Sequence, residues 1–258
     1  MMGMSGILEL LKGAKVEWKR LGEVCVSIST GLNPRKNFKL NDRNTGELTS
    51  WYVTTKDYSL NEKIEFVEGK TARITSKARA LINKRSKLEK NDILFSAIGT
   101  VGKIAIVEVE PNNFDVSEST FVLKPNKLFI FSKYLVHYLR SDFIQKKVRR
   151  SLKKSTLSGL RKNSLENLLI PIPSLEVQKE IARILDAFAE LTAELTLRKK
   201  QYRYYLEKLL SEEYLKGCSE KLEGEKDRNL RVMTLGEIGK FIRGNGLQKK
   251  ILEKEADL

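Results

Sequence analysis

Apolar and polar positions change rhythm along this chain of 258 residues. Ile7-Leu8 and Leu10-Leu11 are short apolar patches that suit a short helix over residues 5–12. From Leu21 the runs become brief and strand-like. Val24 to Ile28 alternates apolar with polar residues and ends in the turn Gly31-Leu32-Asn33-Pro34. Asn41 to Gly46 reads as a polar loop before Trp51-Tyr52-Val53. Ile93-Leu94-Phe95 and Ile104 to Val107 read as strands flanking Gly99-Thr100-Val101-Gly102. Phe121-Val122-Leu123 is a further strand, stopped by Pro125. Phe131, Tyr134, Leu135, Tyr138 and Leu139 then recur at steps of three and four, which predicts a helix. Pro171 and Pro173 hold the next segment, Leu168 to Pro173, extended.

The longest predicted element follows. Ser174 is a suitable N-cap, and no Gly or Pro interrupts the chain from there to Lys216. Ile181, Leu185, Phe188, Thr192, Leu195, Lys199, Tyr202, Leu206 and Leu209 fall on alternating steps of four and three, the heptad seam of a coiled coil. At 1.5 Å per residue such a helix is about 60 Å long. Ile184, Leu191 and Tyr205 widen its apolar stripe. A preceding unit of about 170 residues cannot cover that length, and no second heptad stretch is present, so a second molecule is expected to supply the partner helix.

The opening of the chain also returns near its end. Leu21-Gly22-Glu23-Val24 is echoed as Leu235-Gly236-Glu237-Ile238, an offset of 214 residues. At the same offset Trp18-Lys19-Arg20 is answered by Val232-Met233-Thr234, Ile28 by Ile242 and Arg35-Lys36 by Lys249-Lys250. A repeat this long implies one complete unit, a connector and the start of another unit.

Composition narrows the partner. Forty-eight Lys and Arg stand against 33 Asp and Glu, a net charge of +15, which favours a polyanion and nucleic acid first. Cys25 and Cys218 are far apart and have no ligand spacing, so neither a disulfide framework nor a zinc site is expected. With no signal-like segment and no apolar run of membrane-spanning length, a cytoplasmic protein is expected, with no membrane partner.

The densest basic stretch runs from Lys146 to Lys162 and contains no acid. Within it Arg149, Arg150, Lys153 and Lys154 can neutralise phosphates, while Ser155, Thr156 and Ser158 add short hydrogen bonds and Gly159 allows close backbone approach. A solvated helix face followed by a loop is the plainer reading of the same residues. Arg35, Lys36 and Lys103 are the next DNA-contact candidates. Lys56, Arg73, Lys77, Arg79, Lys84 and Arg85 add cations expected in loops. The sequence Gly99 to Lys103 departs from a phosphate loop at Ala97 and Ile104 and reads as a turn that could project Lys103 toward a ligand. Asp115 and Glu118 read as loop caps, and the single histidine, His137, as structural. No catalytic residues or metal ligands are assigned, so a binding module is favoured over a catalyst.

Together these segments resemble a type I restriction–modification specificity subunit. The resemblance rests on an opening motif, Val16 to Val24, and on Asn91-Asp92-Ile93-Leu94-Phe95-Ser96-Ala97-Ile98-Gly99-Thr100-Val101-Gly102. It continues through an exit motif, Ile170 to Ile181, which runs directly into the long helix, and the return of the opening motif at Leu235. It implies an α+β fold with one target-recognition domain that reads half of a split target in double-stranded DNA. It further implies two copies of a methyltransferase subunit, a restriction subunit, and S-adenosylmethionine, ATP and Mg bound on those partners, with no cofactor on this chain.

The expected partition is an N-terminal segment (1–14), the recognition domain (15–173), the coiled-coil helix (174–216), a linker (217–231) and the start of a second recognition domain (232–258). The residues from 217 on are expected to be disordered. Ile181, Leu185, Phe188, Leu195, Tyr202, Leu206 and Leu209 are expected to pair two half-subunits as a homodimer. The alternatives are a truncated inactive or inhibitory fragment, a coiled-coil adaptor for the methyltransferase subunit, or a self-contained enzyme, for which no motif is found.

Overall fold

A computed structural model describes residues 15–58, 64–111, 113–153, 159–211, 213–215 and 233–240. The side chains of Lys36, Thr45 and Lys153 lie outside that description. The chain is α+β. It runs β1 (Glu17–Arg20), α1 (Leu21–Val24), β2 (Cys25–Thr30), α2 (Pro34–Asn37), β3 (Leu48–Val53), β4 (Ala72–Thr75), α3 (Ser76–Ser86), β5 (Ile93–Ser96) and β6 (Ile104–Ile106). It continues with β7 (Phe114–Val116), β8 (Thr120–Pro125), α4 (Ser132–Arg140), α5 (Asp142–Lys153), α6 (Lys162–Glu166), β9 (Leu169–Ile172), α7 (Leu175–Leu209) and α8 (Leu235–Ile238). Short 3-10 turns cover Arg43–Thr45 and Thr55–Asp57.

Three sheets form, in the orders β2-β8-β5-β6, β4-β3-β7 and β1-β9. The four-stranded sheet is antiparallel throughout. Strands β5, β6 and β8 alternate cleanly, while β2 bulges between Cys25 and Ser27. Ile93, Phe95, Ile104, Ile106, Phe121 and Leu123 face the larger core, while Leu94, Ala105 and Val122 face a second core. Helices α4, α5 and α6 cover the first face with Leu135, Leu139, Ile144, Val148 and Leu165. Val53, Phe114 and Val116 of the three-stranded sheet cover the other. Tyr52 and Ile74 on the far side of that small sheet pack on Ala78 and Ile82 of α3. Burial on both faces explains why β5 reads as a continuous apolar run.

Several local expectations change. Val24 closes a helical turn and does not open a strand. Leu21 and Val24, three apart, both point inward and are fully buried, worth roughly 1.5–3 kcal/mol for a residue such as Leu21. The Glu23 carboxylate accepts the Arg20 backbone N–H at 2.8 Å and holds the turn. Strand β8 does end at Pro125, which is its last residue and pairs with Cys25. The extended proline segment is β9, antiparallel to β1, with Pro171 opposite Trp18. Burial pushes the Cys25 thiol up to about 12, which fits an inert side chain. Cys218 lies outside the described residues.

The long helix is α7, with Ser174 at its N-cap accepting the Val177 N–H at 3.4 Å. It holds 35 residues and ends at Leu209, short of Lys216. Ser211 accounts for the earlier end. Its hydroxyl donates to the Lys208 carbonyl at 2.9 Å and accepts the Tyr214 N–H at 3.2 Å, closing one helix and capping the next turn. Contacts divide the chain into one unit ending at Ala193 and another starting at Glu194. In the second unit α8 repeats α1. Glu237 accepts the Thr234 N–H at 2.6 Å and the Thr234 hydroxyl at 2.9 Å. Leu235 and Ile238, unlike their counterparts, are exposed. No described helix is long and apolar enough to cross a membrane.

Candidate nucleic-acid interface

Four connections meet at one end of the strand-rich unit. Leu32, after β2, bridges Ser117 in the turn between β7 and β8. Gly31 allows this approach, because a Cβ there would lie 1.9 Å from the Val116 carbonyl oxygen. Ser119, in the same turn, accepts the Ala97 N–H at 2.7 Å, which brings in the β5–β6 connection. Ala97 in turn accepts the Leu160 N–H at 2.8 Å, and Ile98 bridges Gly159. The segment between α5 and α6 therefore rejoins the described chain at this end. Gly159 again permits close approach, since a Cβ would sit 2.9 Å from the Ala97 oxygen.

Side chains reinforce the cluster. Tyr52 Oη lies 2.7 Å from the Leu32 carbonyl and 3.0 Å from Glu118 Oε2, either of which can accept its proton. Burial and the Glu118 carboxylate both push the phenol's pKa up. Arg85 donates to the Thr30 hydroxyl at 2.9 Å, tying α3 to the end of β2. The Gln145 side chain of α5 donates to the Gly102 carbonyl at 3.1 Å. Gly99 and Gly102, with φ of 78° and 91°, form the expected turn between β5 and β6.

The candidate cations distribute unevenly. Arg35 is exposed on α2, whose N-cap Asn33 accepts its N–H at 2.9 Å. Lys103 does not project freely; its ammonium donates to the Thr55 carbonyl at 3.2 Å. Arg149 and Arg150 are exposed on α5, opposite the buried Ile144 and Val148. The backbone of Lys153 ends that helix. Lys154, Ser155, Thr156 and Ser158 lie outside the described residues, as do the side chains of Lys36 and Lys153. The structure thus joins the segments carrying Arg35 and Lys103 to the Gly159 end of the basic stretch.

Two cations expected in loops serve the interior. Arg73 on β4 stacks over Trp51 at 4.6 Å and donates to the Leu48 carbonyl at 2.8 Å. Arg79 on α3 pairs with Asp115 at 3.1 Å and donates to the Pro111 carbonyl. Asp115 is accordingly no loop cap but a buried strand residue, while Glu118 does lie in a turn. Arg85, expected in a loop, lies on α3, and tertiary packing brings it to the Thr30-Gly31 corner.

Burial raises the Asp115 carboxyl from the usual range to about 7, although Arg79 opposes the shift. Between the ordinary value near 3.8 and about 7 the unfolded chain has released this proton and the folded chain retains it. Stability from this residue is therefore complete in acid, falls as pH rises through that window and stays low above it. Each unit corresponds to about 1.4 kcal/mol. Thermal melts from pH 4 to 8 should show Asp115→Asn gaining on the parent as pH rises. Parallel melting curves would refute the assignment.

Among the described residues no group of three or more His, Cys, Asp or Glu side chains is placed to hold a metal ion. The matching family model is described as the type I restriction modification DNA specificity domain and covers residues 14–202. The type I restriction enzyme EcoprrI specificity subunit of Escherichia coli is 29% identical over all of this chain and 63% of its own length. A second type I specificity subunit of Escherichia coli is 30% identical over 98% of this chain and 55% of its own. The chain therefore spans between half and two thirds of these relatives' lengths. A type I restriction–modification S subunit from M. genitalium shares the fold at a TM-score of 0.54 and 20% identity, over 92% of this chain and 57% of that one. HsdS from Thermoanaerobacter tengcongensis gives 0.52 at 20% identity, over 84% and 51%.

Proposed function

The chain belongs to the type I restriction modification DNA specificity family, and from that premise we propose that it reads half of a bipartite target and brings methyltransferase and restriction subunits to it. The supporting observation is the convergence of the Gly31, Ala97, Ser117 and Gly159 connections beside exposed Arg35, with the cationic helix α5 tied to the β5–β6 turn through Gln145. Those connections present backbone and side-chain groups at one end of the unit, as reading three or four base pairs in a groove requires. In this reading residues 15–173 do the recognising and α7, Leu175–Leu209, is the spacer, while the return of the opening motif at Leu235 marks the start of a second recognition domain. In this reading the chain is non-catalytic and cytoplasmic. S-adenosylmethionine, ATP and Mg belong to the partner subunits.

Two half-subunits pair through the helix. Leu185, Phe188, Leu195, Tyr202, Leu206 and Leu209 are all exposed, whereas Ile181 packs partly against the recognition core. An antiparallel pair along this seam places the two domains under two-fold symmetry and imposes it on the DNA site. A second reading, a fragment that occupies methyltransferase subunits unproductively, draws on α8, whose Leu235 and Ile238 are exposed where Leu21 and Val24 are buried.

Co-expression with the methyltransferase subunit in a host free of adenine methylation, followed by mapping of modified adenines, separates these readings. A split palindromic motif is the result expected of the homodimer. A split asymmetric motif would mean that a second, different specificity chain is recruited. Copurifying subunits with no methylation would favour the unproductive fragment.

A further inference from the structure

We propose that Gln178 and Asp186 are positioning residues that set the distance between the two half-sites, by clamping the base of α7 to the recognition domain. This deepens the reading above and rests on it: a half-subunit helix that separates two reading domains.

Gln178 is completely buried, although it is a polar residue three positions past the N-terminal end of a long helix. Its amide is well used. Oε1 accepts the Phe131 N–H at 2.9 Å, and Nε2 donates to the carbonyls of Phe129 and Pro173, each at 2.9 Å. One planar group thus ties the helix to the lead-in of α4 and to the link from β9. An apolar replacement would take the partner from three backbone groups at this junction, so this amide is specified by bonding and not by packing.

A second clamp lies eight residues on. Asp186 Oδ2 accepts from the Lys133 ammonium at 2.7 Å, and Oδ1 lies 2.7 Å from His137 Nε2, both on α4. Ala182, midway, is 1% exposed. Steps of four place all three residues on one side of α7. Leu185, two turns past Gln178, shares its side yet is exposed, while Phe188 and Leu195 lie roughly a quarter-turn round the helix and stay available.

Two attachment points fix a direction, where one would leave a pivot. The clamps are about 12 Å apart along the axis, and the helix of 35 residues extends about 52 Å. A swing of about 10° at the base would move the far end by roughly 9 Å, more than two base-pair steps at about 3.4 Å each. Spacing fidelity at the level of one base pair therefore requires a stiff base, and the buried amide with its outer carboxylate supplies one.

The test is methylation mapping with the full chain and its methyltransferase subunit, comparing the parent with Asp186→Ala, Gln178→Ala and the exposed control Glu190→Ala. The parent and the control should give one spacing between modified adenines on opposite strands. Both clamp variants should keep the half-motifs but methylate at two or more spacings, with off-spacing sites rising at least tenfold. A purely structural role would lower methylation without altering the spacing. One unchanged spacing in the clamp variants, or uniform loss with no new spacing, overturns the proposal. If Gln178→Ala does not fold, Asp186→Ala decides, because that side chain lies at the edge of the core. A parent that yields no split motif removes the half-subunit reading and this inference with it, an outcome visible before any variant is compared.

Discussion

Gly31→Ala should cost about 2–4 kcal/mol of unfolding free energy and most of the DNA affinity. The added Cβ would lie 1.9 Å from the Val116 oxygen and 2.7 Å from the Ser117 oxygen. Both are backbone atoms, so no rotamer change relieves the clash. The loop must retreat, which breaks the bridge from Leu32 to Ser117 and draws the Leu32 carbonyl away from Tyr52. The same retreat carries Arg35 out of the cluster. Urea unfolding and fluorescence anisotropy on duplex DNA read the two effects separately. Gly239→Ala is the control, since no atom lies within 4 Å of a Cβ there, and it should stay within about 0.5 kcal/mol of the parent. An undisturbed Gly31→Ala would mean that the loop can yield, and would remove it from the interface.

The double charge reversal Lys153→Glu with Lys154→Glu should weaken DNA binding at least about 100-fold and lower the salt slope by about two. The argument is electrostatic. Each lysine that neutralises a phosphate releases condensed counterions, and a glutamate in its place repels the same phosphate. The two residues stand in a stretch from Lys146 to Lys162 that contains no acid. Its far end is pinned at Gly159 beside Ala97. Affinity measured from 50 to 300 mM salt gives both quantities. Unchanged affinity and slope would move the phosphate contacts to Arg35 and Lys103, or to another face.

The sequence made the strands at Ile93, Ile104 and Phe121 legible because each carries several apolar residues between turn signals. The long helix was legible because its seam repeats from Ile181 to Leu209, about eight turns. Helix α3 was not. Its inward side is only Ala78, Ile82 and Ser86, too small a stripe to stand out among Lys77, Arg79, Lys84 and Arg85. The turn Leu21–Val24 was hidden because Val24 to Ile28 also alternates like a strand, and the bond from Glu23 to the Arg20 N–H decides locally. For the candidate site, charge indicated the basic stretch but not its neighbours. Gly31, Ala97, Ser117 and Gly159 are brought together by backbone contacts between distant strand ends, which leave no spacing signal along the chain. Arg73 and Arg79 read as surface cations until Trp51 and Asp115 are placed beside them.

The way those four connections are joined has an evolutionary consequence. The links from Ala97 N–H to Ser119, from Leu160 N–H to Ala97, and across Leu32–Ser117 and Ile98–Gly159 all run through the main chain. Hydrogen bonds of that kind are indifferent to which side chain a residue carries. Apart from the glycines and the buried Ala97 and Ser117, exposed positions on the rim can change side chain while this main-chain frame stays closed. A new DNA preference can then arise by point substitution at little cost in folding.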